Sequence, residues 1–409
     1  MRFPTDAATR SLAVLILFTA FSGDFWPNLL GPGGRFGVLA ALTIATAGLM
    51  TVRRLWSKLV IWRLPRTLLL LGVVGVLSVA WSGQAATAAV VGLGLAAASL
   101  GALFLTTALG WPQLLAALST ALCWVLGLSV VFEFVAAVFV RQPVHPFWGQ
   151  AGVWSNADLF RGGPVLGIAG DPAVLAFAAV LAAASVALQL AQGLRRRNPA
   201  VAWLVIAALV LGLTRSVTAI AALVAMAALL GLLLLARRLG PGRRMALLVA
   251  IAAVAVAVGV LLATFRTDVL AFVASVGAGT ASPAAFDLWV SVGEHLGIVG
   301  VVLLVAVVVS TWHRSWWFAV DKPLDTLGLP IASPPLTLAP ALLVAAVLVQ
   351  SFAQSPALVG ASWLLLVLVS ISTKLQQNEV SLDLGNGDAP ANALPSRSAR
   401  TIRVGASVS

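Results

Sequence analysis

Residues 140–173 read VRQPVHPFWGQAGVWSNADLFRGGPVLGIAGDPA, and the reading of this stretch decides how the whole chain folds. It sets Arg141, His145, Asp158, Arg161 and Asp171, with prolines and a run of glycines, between two long apolar segments. A stretch of that composition in such a setting is a loop joining two membrane spans, and loops are where polar function gathers. The 141–171 loop is therefore expected to be extracytoplasmic and to carry function.

Outward from this loop the chain is almost uniformly apolar. Of 409 residues, 61% are hydrophobic and 9% charged, and the mean hydropathy is +1.05. That leaves too little polar surface to cover a soluble domain of this size. The expected architecture is an all-α, polytopic integral membrane bundle over 1–373, followed by a polar tail over 374–409 too poor in apolar residues to fold alone. The first apolar segment is broken at Gly23-Asp24 and lacks a small-residue cleavage site, so it reads as a retained span. The single cysteine, Cys123, lies in an apolar run and reads as a small buried residue, which excludes an internal disulfide.

At about 20 apolar residues per span, the chain divides into about twelve segments. They fall near 11–30, 35–52, 66–82, 85–109, 112–140, 172–193, 199–214, 216–236, 245–265, 286–310, 338–355 and 357–373. With both termini in the cytoplasm, Arg35, Arg141, Arg161, Arg215 and Arg266 are the outside basic residues, which leaves 20 of the 25 inside. That asymmetry is the positive-inside bias, so the net charge of +12 reports topology and contact with anionic lipid rather than nucleic acid. Trp26, Trp81, Trp111, Trp312, Trp316 and Trp317 fall at span ends, where an indole buries its ring and keeps its N–H wet, and an anchoring role is expected. The proline-rich segment 311–337 reads as an inside loop.

The outside arginines are the informative charges. Arg161 opens a glycine-rich run that ends at Asp171-Pro172, where proline suits the first turn of the next helix and glycines permit close backbone approach. A helix start of this kind offers free N–H groups to an anion. Arg215 occupies the tight turn Thr214-Arg215-Ser216, and Arg266 ends another span. Guanidinium forks match phosphate oxygens in paired hydrogen bonds, so Arg161, Arg215 and Arg266 together make a candidate diphosphate cradle. Taken singly, each could instead reach lipid headgroups or pair with Asp158, Asp171 or Asp268.

A second polar group lies over residues 285–300. Asp287, Ser291 and Glu294 are spaced by four and three and share one helix face, with His295 beside them. Ionisable groups in an apolar span face the bundle interior or a wet cavity, where a carboxylate or imidazole can serve as a general base. A buried polar pairing that orients helices is the alternative. Glu133 stands alone in the fifth span as a weaker candidate, and His145 reads as a structural residue of the loop.

Three places resemble the O-antigen ligase and O-antigen polymerase family of polytopic glycosyltransferases. Arg161 to Ala176 resembles its R-x-x-G-x-x-x-N-P-N-x-L-A segment, Leu213 to Thr218 its S-R-S/T turn, and Asp287 to Gly300 its H-N-x-x-L…E-x-G-x-x-G helix. Phe265 to Val269 is also similar to the family's G-R-T-x-x-W element. The resemblance implies a GT-C-type fold of the cytoplasmic membrane that transfers a glycan from an undecaprenyl-diphosphate carrier to an acceptor glycan or glycolipid, without metal or cofactor. It implies diphosphate binding by Arg161 and Arg215, with Arg266 as a further binder, and a histidine base. Here Phe286 stands at the family's histidine position, Asp287 at its asparagine and His295 at its glutamate, while Asp171-Pro172-Ala173 replaces Asn-Pro-Asn. Either the base is Asp287, Glu294 or His295, or the chain is a non-catalytic partner or permease of a polysaccharide export system.

The charge sorting makes a direct prediction. In a Cys123→Ser background, an impermeant maleimide added to whole cells labels Gln150→Cys, while Arg196→Cys reacts only after permeabilisation. The reverse pattern contradicts the orientation.

Overall fold

The computed structural model describes residues 6–31, 33–58, 64–78, 85–149, 152–240, 242–244, 246–247, 287–321, 334–351 and 359–385. Twelve α-helices organise these residues: α1 (Ala7–Phe21), α2 (Phe25–Leu30), α3 (Gly34–Val52), α4 (Arg66–Leu77), α5 (Ala85–Ala108), α6 (Trp111–Val135), α7 (Pro172–Ala191), α8 (Arg197–Thr214), α9 (Val217–Arg238), α10 (Asp287–Val320), α11 (Ala339–Ser351) and α12 (Val359–Gly385). There is no strand among the described residues, and one isolated bridge joins Val144 to Ser155. Seven helical stretches have the length and composition to cross a membrane, and four shorter apolar helices accompany them. The protein is an all-helical, multi-pass membrane protein.

The spans differ from the sequence expectation where glycine geometry intervenes. The segment expected over 11–30 is two helices, because Gly23 adopts φ +55 and a Cβ there would lie 2.5 Å from the Ala169 carbonyl oxygen. The loop chain passes so close that the helix must break to admit it. The fifth span ends in a π-helical turn, Ala136–Val140, which Arg141 closes with φ 56. The span expected over 245–265 lies outside the described residues, apart from a few at its start. Helix α10 runs on to Val320, so 311–320 is helix rather than loop, and α12 continues to Gly385, beyond Lys374 where the polar tail was expected to begin.

Helix α7 is the centre of the bundle. From Val174 to Ala182 each residue is no more than 2% exposed, and α6, α8 and α9 pack around it. Buried Gln189 ties it to α6 by donating to the Leu115 carbonyl (2.8 Å) and to Ser119 Oγ (2.7 Å). In an apolar interior such a pairing satisfies groups that lipid cannot.

The contacts define two ends. At one, Asp6 pairs with Arg53, the ring of Trp111 meets that of Phe318, and Arg237 donates to the Ala319 carbonyl (2.8 Å) and to Thr337 Oγ1 (2.6 Å). At the other lie the C-terminal ends of α1, α6 and α8, the starts of α7 and α9, and the 141–171 loop. Among the described basic residues, Arg53 and Arg237 thus lie at the first end and Arg141, Arg161 and Arg215 at the second. The expected tryptophan anchors are corrected in part: Trp111 and Trp316 are 7% and 1% exposed and belong to the core, because neighbouring helices overlap the span ends where they sit.

Helix α10 is two helices joined at Gly297, whose φ 64 and ψ −167 are not helical. A Cβ built on Gly293 would lie 3.6 Å from Val301 Cγ2, although eight residues of straight helix separate them by about 12 Å. Trp289 likewise donates to Ser351 Oγ (3.1 Å) and lines one apolar crevice with Leu304 and Val308. The 287–296 segment therefore folds back beside 298–320, and its first residue returns about 15 Å towards the middle of the bundle. Gly297 occupies a backbone region that side chains strongly disfavour, at a cost of about 1–3 kcal/mol. Gly297→Ala is accordingly expected to lower the thermal midpoint in detergent, and an unchanged midpoint would show that the bend is dispensable.

Candidate functional site

The 141–171 loop folds onto the end of the bundle rather than hanging from it. Its outer part is a short hairpin: the Val144 and Trp154 backbone N–H groups donate across the Val144–Ser155 bridge, and His145 Nδ1 lies 2.8 Å from the Gly152 carbonyl oxygen. His145 is thus a structural residue, as expected. Trp148 Nε1 donates to the Leu29 carbonyl at 2.7 Å, which ties the hairpin tip to α2.

The inner part of the loop closes on Glu133 and Ser129, one turn apart on α6. Glu133 is 2% exposed. Its Oε2 accepts from Ser155 Oγ (2.9 Å), while Oε1 accepts from the backbone N–H groups of Gly167 (2.7 Å) and Leu166 (3.2 Å). Ser129 Oγ accepts from the Ile168 N–H (3.1 Å), and Trp154 Nε1 donates to the Ile168 carbonyl (3.1 Å). Gly167 has φ +62, and a Cβ there would fall 2.6 Å from Ser129. Only glycine lets the backbone approach α6 closely enough for these bonds. The Ala169 carbonyl then accepts from the Asp24 N–H (2.9 Å), and the Val165 N–H donates to the Leu213 carbonyl (3.3 Å) at the end of α8.

These anchors bring the backbone at Arg161 and Gly162 beside Arg215. Arg215 caps α8 in the left-handed region, with φ 51, and its Nη2 lies 3.5 Å from where a Cβ on Gly162 would sit. Both arginines are exposed, and neither is ion-paired among the described residues. Of the other arginines described at this end, Arg141 Nε donates to the Val138 carbonyl (2.9 Å), and Arg35 acts electrostatically on Asp24. Helix α7 starts at Pro172 as expected, with Asp171 as its cap accepting from the Ala173 N–H at 2.7 Å. That carboxylate occupies the helix start, and the Asp158 carboxylate lies against Gly163, with Oδ2 2.9 Å from where a Cβ there would sit, so the cationic group placed beside Gly162 is the Arg215 guanidinium.

Of the remaining sequence candidates, Arg266 lies outside the described residues. Asp287, Glu294 and His295 fall on the folded-back segment of α10; their backbone is helical, and their side chains lie outside the described residues. That segment starts deeper in the bundle than a single continuous span would place it. Glu133 is the residue that sequence reading undervalued. The usable signal is Ser129 four residues before it, which puts two acceptors on one helix face opposite a glycine-rich loop full of N–H donors.

A multi-pass helical membrane protein with a folded polar loop and exposed arginines at one end is the class that these observations define. Comparison of the chain with protein-family models, curated proteins and solved structures gives no match.

Asp24 offers a test of how tightly the loop covers this end. Burial pushes its carboxyl above the usual carboxylate range; Arg35 opposes the rise and Asp171 adds to it. A raised folded-state value means that the stabilising contribution is present in acid and is lost as pH rises through that value. Asp24→Asn is expected to unfold at a higher temperature than wild type at neutral pH, with the advantage vanishing in acid. An advantage confined to acid contradicts the burial.

Proposed function

We propose that the protein transfers a glycan from an undecaprenyl-diphosphate carrier to an acceptor sugar hydroxyl at the outer face of the cytoplasmic membrane, in polymerisation or ligation of a surface polysaccharide. In this reading both termini are cytoplasmic, and the arginine end faces outward. The observation that carries it is the approach of the Arg215 guanidinium to the backbone at Gly162, next to exposed Arg161, with neither arginine ion-paired among the described residues. Phe147, Trp148 and Phe160 are 73%, 67% and 70% exposed on the same loop, a composition suited to the membrane interface where a lipid diphosphate resides.

In the proposed step, a base takes the acceptor hydroxyl proton and the oxygen attacks the anomeric carbon. The bond from that carbon to the diphosphate oxygen breaks, and the arginines neutralise the charge that develops on the leaving group. Asp287, Glu294 and His295 are the candidates for the base, and Arg266 for a third diphosphate contact. The acceptor is a glycan or glycolipid, and the mechanism needs no metal.

The presence of Phe286 at the family's histidine position favours a second reading, in which the protein binds the lipid-linked glycan for an export system without cleaving it. Release of undecaprenyl diphosphate from a lipid-linked oligosaccharide by protein in nanodiscs separates the two. The transferase reading expects release with a lengthened product, and a fall of about ten- to a hundredfold in Arg161→Ala and Arg215→Ala, the worth of one charge-assisted contact. Loss in His295→Ala alone among the three base candidates would identify the base. Donor binding without release, in the presence of acceptor, supports the export partner instead.

A further inference from the structure

Glu133 grips the loop on both flanks of Arg161. One carboxylate oxygen accepts from Ser155 and the other from Leu166 and Gly167, so a single side chain closes the intervening segment into a loop with Arg161 near its middle. Ser155 Oγ in turn accepts from the Ala157 N–H (3.1 Å), which extends the same network into the near flank. On the far flank the Val165 N–H reaches Leu213, two residues before Arg215. The network therefore runs from α6 through the loop to the end of α8, and it holds the loop backbone around Arg161 beside Arg215.

We propose that Glu133 is a positioning residue for Arg161 and Arg215, holding the loop segment that carries Arg161 and Gly162 beside Arg215 for diphosphate binding; this rests on the diphosphate-binding reading given above. A span-embedded carboxylate is costly to keep, and in packed proteins its place is justified by the groups it satisfies. Here those groups are two backbone N–H donors and a hydroxyl that belong to the loop, not to the transmembrane packing. Hydrocarbon at the same position would leave those donors without acceptors in a site closed to water. The carboxylate touches neither arginine and is enclosed, so its part is to hold geometry rather than to contact ligand.

The test uses the full-length protein in phosphatidylcholine nanodiscs, with two readouts on Glu133→Ala and Glu133→Gln. Hydrogen exchange follows the peptides covering Ser155 to Gly167, and inorganic pyrophosphate is the binding probe, with Arg161→Ala and Arg215→Ala as binding controls. Glu133→Ala is expected to speed exchange across this loop, and to weaken pyrophosphate binding, each by about tenfold or more, while exchange in α7 stays as in wild type. Glutamine can still accept the Gly167 N–H and can donate to Ser155 Oγ, so Glu133→Gln is expected to restore both properties to near wild type. Exchange in the loop that is unchanged by Glu133→Ala overturns the proposal. So does Glu133→Gln with an ordered loop and lost binding, because that result requires the charge itself. If wild type binds no pyrophosphate while Glu133→Ala still opens the loop, the positioning role stands and the diphosphate reading fails.

Discussion

In a membrane bundle every buried backbone N–H must find an acceptor within the protein, since lipid supplies none. The loop that crosses the end of this bundle meets much of that demand through two side chains of α6. Glu133 accepts from Leu166, Gly167 and Ser155, with Ser129 one turn earlier taking the Ile168 N–H. Much of the local architecture follows from this. Gly167 has to lack a side chain to reach α6, Gly23 has to break the first helix so that Ala169 can pass, and Trp154 fills the space beneath the hairpin.

The constraint also separates the arginines by role. Arg141 turns back onto its own helix end, and Arg35 faces Asp24, so both serve local structure. Arg161 and Arg215 sit where the loop crosses the cap of α8, exposed and without ion-pair partners among the described residues.

The sequence made the helical class, the order of the elements and the polar end legible, because apolar length and charge asymmetry are properties of composition that local geometry does not alter. The start of α7 at Asp171-Pro172 was equally readable, since proline and a capping carboxylate act within their own turn. What escaped were the consequences of tertiary contact. The break at Gly23 depends on the Ala169 carbonyl 146 residues away in the chain, and the burial of Trp111 and Trp316 depends on which helices overlap their ends. Gly297 is one of 36 glycines, and nothing in its neighbours announces that the helix reverses there. Glu133 read as a lone carboxylate because its three donors lie 22 to 34 residues later, in a loop whose path the sequence does not specify.

The central claim is that the loop held by Glu133 presents Arg161 and Arg215 as one anion site. An experimental structure of the protein in nanodiscs containing a polyprenyl diphosphate tests it most directly. The account predicts diphosphate density between the two guanidinium groups beside Gly162, with the 155–167 loop seated on Glu133. Density for the diphosphate elsewhere, or arginines that turn apart in its presence, would contradict it.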